Sequence, residues 1–363
     1  MEYYVGATFL SVVIAFLIKK KFGFEKHKFL KMFISILPLT VISGLRYNVG
    51  WDYPNYATAF SNYGIFGKLY FDEIGFKTIV EVLSSITNDY VYLFILFSIA
   101  ISFFFSKCFE KYGKEKNALT YILLFVLTRY FFCSLNIVRQ ALAMIMVVYS
   151  FCYIKDERNI KNYLKTFAII LLAASLHKFA IIFIPLSLLL PHDFKEILKN
   201  KYLYIGLMVV SVTVFVFAVS SGYLSYFDTM FGNDGTVAIS ELLISLIVIL
   251  FGLAKYKTLS QEKENVIFLN MEVIALFVCL ASPFIPTADR IVWYFNSASS
   301  IFLIPAILNQ YNRKAIKLGI ATIIVTSLGV VLYNQIIRTD SYDVMPYNHV
   351  FEEGSPWNGE IVR

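Results

Sequence analysis

Apolar runs of about 16 to 20 residues recur along the whole chain, separated by short polar stretches, and about 20 apolar residues in a helix cross a bilayer core. The runs fall at 3–18, 29–44, 90–106, 118–134, 137–153, 164–176, 178–190, 202–220, 237–254, 266–282, 291–308 and 317–334. This pattern predicts an all-α polytopic membrane protein with about 12 transmembrane segments and no separable soluble domain. Residues 1–334 read as one helical membrane domain, in which 45–89 form an outer loop with interfacial helices. Residues 335–363 read as an extracytoplasmic tail or lid. The stretch 164–190 has basic loops on both sides and so crosses an even number of times, yet it is too short for two full spans at about 1.5 Å per residue. A broken or re-entrant pair meeting at Leu176–His177–Lys178 resolves this, in a place where protein or a wet cavity surrounds the backbone.

Composition supports the class. The 363 residues are 58% hydrophobic and 16% charged, with mean hydropathy +0.66, against about 25% charged in soluble domains. The first run ends in three lysines without a small-residue cleavage site, so it reads as a retained span. Cys108, Cys133, Cys152 and Cys279 sit in or beside apolar runs without metal-ligand spacing and read as packing residues.

The net charge of +7 divides by residue type. Basic loops at 19–31, 107–116, 155–165, 195–201, 255–263 and 313–317 face the cytoplasm by the positive-inside rule if the N-terminus is outside. Of 24 lysines, 21 fall in those loops; Lys68, Lys77 and Lys178 do not. Arg158 and Arg313 lie inside, but Arg46, Arg129, Arg139, Arg290, Arg338 and Arg363 lie at or near the outer face. Topology accounts for the lysines. The arginines point to an anion, because a planar guanidinium grips phosphate or carboxylate with two parallel bonds. The charge therefore argues for orientation and an outer anion site, not for nucleic acid.

Five stretches carry candidate chemistry. LRYNVGWDYPNYATAF (45–60) opens on the outside after the second run. Gly50 permits a tight turn, Pro54 suits a first helical turn, and Asp52 stands near its N-terminus. Tyr53, Tyr56, Phe60 and Tyr63 recur at helical spacing and would lay an aromatic face on the membrane surface or over a cavity. Asn136, Arg139 and Gln140 form a polar face at the outer start of a run, where a charge within a span costs about 2.5–3.5 kcal/mol on insertion scales. His177 and Lys178 mark the break of the short pair, and a histidine there either moves a proton or satisfies free carbonyls. Asp289 and Arg290 repeat the acid-plus-arginine theme beside Trp293 and Tyr294. The tail carries Arg338, Asp343, His349, Glu352 and Glu353. There is no GxxxxGKS, HExxH or Gly-rich dinucleotide turn, so ATP-driven transport, zinc proteolysis and redox chemistry lack support.

These residues resemble the EpsG-like branch of the Wzy-type bacterial polysaccharide polymerases. The landmarks are R-Y-x-V-G-x-D-Y-x-x-Y from Arg46 to Tyr56, I-V-R-Q-A-L-A at Ile137–Ala143, L-H-K-F-A at Leu176–Ala180, D-R-I-x-x-Y at Asp289–Tyr294 and P-Y-N at Pro346–Asn348. Trp51 replaces the usual small residue before the first aspartate. The resemblance implies a GT-C-like membrane glycosyltransferase in the bacterial cytoplasmic membrane, while the charge pattern and span parity predict both termini extracytoplasmic. It would join oligosaccharide repeat units carried on undecaprenyl pyrophosphate at the outer face. It implies no cofactor, with arginine in place of a divalent cation, and a polysaccharide flippase and a chain-length regulator as protein partners beside the lipid-linked oligosaccharide and membrane lipid.

On that reading Arg139, Arg290 and Arg46 are candidates to stabilise the leaving diphosphate. Asp52, His177 and Asp289 are the candidate bases. Tyr47, Trp51, Tyr56, Asn136, Gln140, Tyr294 and Tyr347 join Arg46 and Asp289 as candidate substrate contacts. Three other readings stay open: a transporter of the lipid-linked oligosaccharide, a membrane acyltransferase acting on glycans with His177 as base, and a non-enzymatic scaffold. The lack of two similar halves speaks against the transporter.

Overall fold

The computed structural model of the protein describes residues 1–66, 71–114, 118–154, 159–193, 239–282, 288–352, 355 and 357. The expected run 202–220 and the loops at 195–201 and 221–236 lie outside the described residues, as do Glu353 and Arg363. Elsewhere a helix stands at each expected run. In chain order these are α1 (Glu2–Phe22), α2 (Lys28–Gly44), α3 (Tyr53–Phe66), α4 (Ile74–Ile86), α5 (Val91–Tyr112), α6 (Ala118–Leu127), α7 (Tyr130–Asn136), α8 (Val138–Ser150), α9 (Ile160–Leu176) and α10 (Phe183–Leu189). They continue as α11 (Ile239–Leu253), α12 (Tyr256–Leu259), α13 (Lys263–Ala281), α14 (Ala288–Asn309) and α15 (Lys314–Leu332). No strand occurs among the described residues.

Among the described residues, four helical stretches are long and apolar enough to cross a membrane: Val91–Tyr112, Lys263–Ala281, Arg290–Asn309 and Lys314–Arg338. The bent pair α6–α7 makes a fifth if it is one crossing. The segments at 138–153, 178–189 and 240–253 are apolar but shorter. One difference from the sequence pattern stands out. The run 118–134 is uniform in hydropathy, yet α6 and α7 meet at 50°. Arg129 sits at the junction, buried, with left-handed φ of 64°, and donates to the Gln335 side chain.

The chain forms two compact units. The first comprises Met1–Ile145, Ser175–His177 and Leu332–Arg363. Within it α2 packs on α1 and α5. Lipid is as apolar as leucine, so close approach and buried hydrogen bonds hold such helices together. Thr40 and Ser102 share a hydrogen bond of 2.6 Å, and Ser43 and Ser98 share one of 2.8 Å, both between α2 and α5. Gly44 lets the backbones close up, since a Cβ there would stand 3.2 Å from the Ile95 Cα.

The second unit comprises Met146–Ala174 and Lys178–Val331. Here α13 packs against α11 and α14 through a buried polar layer. Glu241 accepts the Trp293 indole N–H at 3.2 Å and the Asn296 amide at 3.1 Å. Glu272 accepts the Ser300 hydroxyl. The four cysteines are buried and free.

Candidate functional site

Local chemistry of the segment 45–52 explains how unit 1 is assembled. Gly50 has φ of +103°, which L side chains rarely adopt, and a Cβ on it would lie 2.7 Å from the Leu135 carbonyl oxygen. The chain therefore turns flat against the α7–α8 junction. Asn136 at that junction accepts the Asp52 backbone N–H through Oδ1 at 2.9 Å. Arg46 has no exposed surface. Its guanidinium donates to the carbonyls of Ser43, Val49 (3.3 Å) and Leu135 (3.0 Å). It also stacks over Phe94 at 4.6 Å and Tyr53 at 5.7 Å, two rings that lie parallel at 4.1 Å. Burial pulls its pKa down to about 10, and the surrounding tyrosines oppose that shift, so it is charged at neutral pH.

The tail completes this scaffold. Tyr47 donates its backbone N–H to Asn348 at 3.0 Å, Gly50 to Asp343 at 2.7 Å and Trp51 to Tyr342 at 3.3 Å. Val350 donates back to Leu45, and Arg46 forms an isolated antiparallel bridge with His349. The Tyr347 hydroxyl reaches the Ile42 carbonyl at 2.8 Å, and its ring packs on Tyr3 and Tyr4. Two segments nearly 300 residues apart are thus sewn together by backbone hydrogen bonds.

Beside that scaffold lies an enclosed ion pair. Arg139, in the first turn of α8, donates to Glu73 Oε2 at 2.7 Å, and both side chains are almost wholly buried. Three rings face the guanidinium: Phe71 at 4.0 Å, Phe76 at 4.8 Å and Tyr56 at 5.6 Å. Each such contact favours a retained positive charge. Glu73 occupies the N-cap position of α4 without a side-chain capping bond, where the helix dipole favours an anion. Its other oxygen, Oε1, is buried and has no hydrogen-bond partner among the described residues. Gly75, two residues on, approaches the end of α9 so closely that a Cβ would stand 2.8 Å from the Ser175 carbonyl oxygen. That contact carries the break at His177, itself buried, to the first turn of α4.

A family model described as the EpsG family matches residues 29–349, nearly the whole chain. The chain belongs to the EpsG family. Membership points to a polysaccharide polymerase-like membrane protein. No curated protein and no solved structure matches the chain.

The resemblance motifs of this EpsG family member divide between the units. Arg46, Tyr47, Trp51, Asp52, Tyr56, Asn136, Arg139, Gln140, His177 and Tyr347 belong to the first. The structure joins Arg46 to Leu135, Asp52 to Asn136 and Arg139 to Tyr56 directly. Gln140 is buried and turns its amide toward the Met144 sulfur at 3.9 Å, while Trp51 is exposed. Asp289, Arg290 and Tyr294 belong to α14 of the second unit, where Tyr294 packs between Phe179 and Phe183. The aromatic face of α3 expected over membrane or cavity turns inward: Tyr53, Tyr56 and Phe60 are buried in protein.

Sequence reasoning missed Glu73. It stands in a short polar interval with no motif around it, and only the fold brings it to a residue 66 positions later. It also missed Glu241 and Glu272, single acids inside apolar runs, a placement that is itself a signal of a role within the membrane.

Proposed function

We propose that the protein is a membrane glycosyltransferase that polymerises undecaprenyl-pyrophosphate-linked oligosaccharide repeat units at the outer face of the cytoplasmic membrane. The observation that carries this reading is the Arg139 site. A permanently charged guanidinium stands at a helix N-terminus, walled by aromatic rings and already holding an anion, the Glu73 carboxylate. A glycosyl diphosphate develops negative charge on its leaving oxygen as the anomeric C–O bond breaks, and fixed positive charge in a site shut off from water stabilises that change most. The α8 dipole adds to it. Arginine then supplies the charge a divalent cation supplies in other diphosphate-leaving reactions, so polymerisation persists in chelator.

Arg46 acts in this reading as a structural bolt, since its guanidinium is turned onto three backbone carbonyls. Arg290 keeps its sequence-based assignment as a second guanidinium and is tested separately.

The test is complementation of a deletion strain with Arg139→Ala, Arg139→Lys and Arg290→Ala. The reading expects normal export of single repeat units, with polymer strongly reduced in Arg139→Lys, which keeps a cation beside Glu73, and lost in Arg139→Ala, whose protein level is measured alongside because it strands a buried carboxylate. A point-charge ammonium cannot reproduce the planar two-bond grip. Full-length polymer from Arg139→Ala contradicts the reading. Repeat units accumulating on the inner leaflet of the deletion strain would favour the transporter alternative instead.

A further inference from the structure

The Arg139–Glu73 pair raises a chemical problem that points to a second role. In a direct in-line displacement, a base that takes the acceptor's proton cannot stand where the diphosphate stands, because bond formation and bond cleavage then lie on opposite sides of the anomeric carbon. Yet the one carboxylate bonded to Arg139 among the described residues occupies the place the leaving group needs. Exchange removes the conflict. A diphosphate offers Arg139 more charge and more acceptor oxygens than a single carboxylate, so its arrival releases Glu73. The released side chain has several rotatable bonds and stays anchored at the start of α4. Its Oε1 is buried with no hydrogen-bond partner among the described residues, so one carboxylate oxygen is already placed to accept a hydroxyl.

Resting on the reading of Arg139 given above, we propose that Glu73 is the general base of the transfer and that Arg139 holds it inactive until the donor's diphosphate displaces it. In the step the acceptor hydroxyl oxygen forms a bond to the donor's anomeric carbon. The C1–O bond to the diphosphate breaks, and undecaprenyl diphosphate leaves with the electron pair. The hydroxyl proton passes to Glu73, which returns it to water and pairs again with Arg139 once the product has gone. The arrangement has a use. Without donor bound, the base is neutralised and cannot activate stray water.

The test uses full-length purified protein in detergent or nanodiscs, with a defined undecaprenyl-diphosphate-linked repeat unit as both donor and acceptor. Initial rates across pH are measured for the wild type, Glu73→Gln, Glu73→Asp and Arg139→Ala, together with donor binding. Glu73→Gln is expected to lower kcat by about 10²–10⁴-fold, with donor affinity kept or improved because the competing anion is gone. The dependence of kcat on pH is expected to flatten in Glu73→Gln, and Glu73→Asp to recover part of the rate. Glu73→Gln turning over within about threefold of wild type overturns the proposal. Loss of donor binding together with turnover makes Glu73 a structural strut and overturns it equally. Wild-type kcat/KM in Arg139→Ala is a separate result that removes the underlying reading of Arg139.

Discussion

Replacing Arg46 with alanine separates scaffold from substrate contact. Its guanidinium makes three hydrogen bonds to backbone carbonyls, in a site with no solvent exposure. Hydrogen bonds from a charged donor contribute about 1.5–3 kcal/mol each, or roughly 5–9 together. Burying the charge opposes this. Lowering an arginine from 12.5 to about 10 corresponds to a cost of about 3 kcal/mol. That shift already includes the neighbouring tyrosines, so the net contribution is roughly 2–6 kcal/mol. Alanine also strands the Leu135 and Val49 carbonyls, so the loss should lie near the 3–5 kcal/mol seen when one side of a buried charged contact is removed. At about 2–4 °C per kcal/mol, the apparent melting temperature of the purified protein should fall by about 6–20 °C, with polymer lost through low protein level. A thermal-stability assay in detergent, beside immunoblots of membranes, reads this directly. An Arg46→Ala protein that melts as the wild type does and accumulates normally, yet makes no polymer, would refute the reasoning and return Arg46 to the substrate site.

Three further outcomes follow from the same geometry. Gly50→Ala meets both a φ of +103° and the Leu135 carbonyl, so it should cost about 1–3 kcal/mol; protease sensitivity of the 45–52 segment and melting temperature report it, and an unchanged protein would mean that this turn does not hold the α7–α8 junction. Glu272 is fully buried, bonded to Ser300, with Oε2 lacking a partner among the described residues; Glu272→Gln, neutral and of the same shape, should stay within about 1 kcal/mol of wild type, whereas Glu272→Ala should cost about 2–4 kcal/mol, both read by thermal unfolding. Burial and the nearby Asp340 raise the pKa of Asp343, so the folded tail binds more protons there than the unfolded tail. Its contribution is greatest in acid and is lost as pH rises through the folded value. Asp343→Asn, which also tolerates the left-handed φ of 53°, should therefore slow exchange of the Gly50 amide at neutral pH; equal exchange in both proteins would contradict this.

The helical membrane class was legible because each apolar run had the length and composition of a buried helix, and the break at His177 followed from counting residues against bilayer thickness. The bend at Arg129 was not legible. Hydropathy is blind to a single residue taking left-handed φ between two apolar helices. The LRYNVGWDY segment advertised itself through Gly50 and its arginine, and sequence offered Arg46 as a substrate contact without showing the carbonyls it bonds. Composition says that a guanidinium needs acceptors; it does not say whether those acceptors are phosphates or three carbonyls of the same chain. Glu73 was hidden for the opposite reason. An acid in a polar interval is unremarkable until a fold pairs it with an arginine from another helix. The tail's pairing with residues 45–51 was equally out of reach, since backbone hydrogen bonds leave little trace in side-chain pattern.

The central claim is that Arg139 receives the diphosphate. The most direct measurement is equilibrium binding of undecaprenyl diphosphate, with undecaprenyl monophosphate as control, to wild-type protein and to Arg139→Ala shown to be folded by its melting curve. Removing charged hydrogen bonds worth about 1.5–3 kcal/mol should weaken the diphosphate lipid by roughly 10–150-fold, with a smaller effect on the monophosphate. Equal affinity of both proteins for the diphosphate would contradict the account.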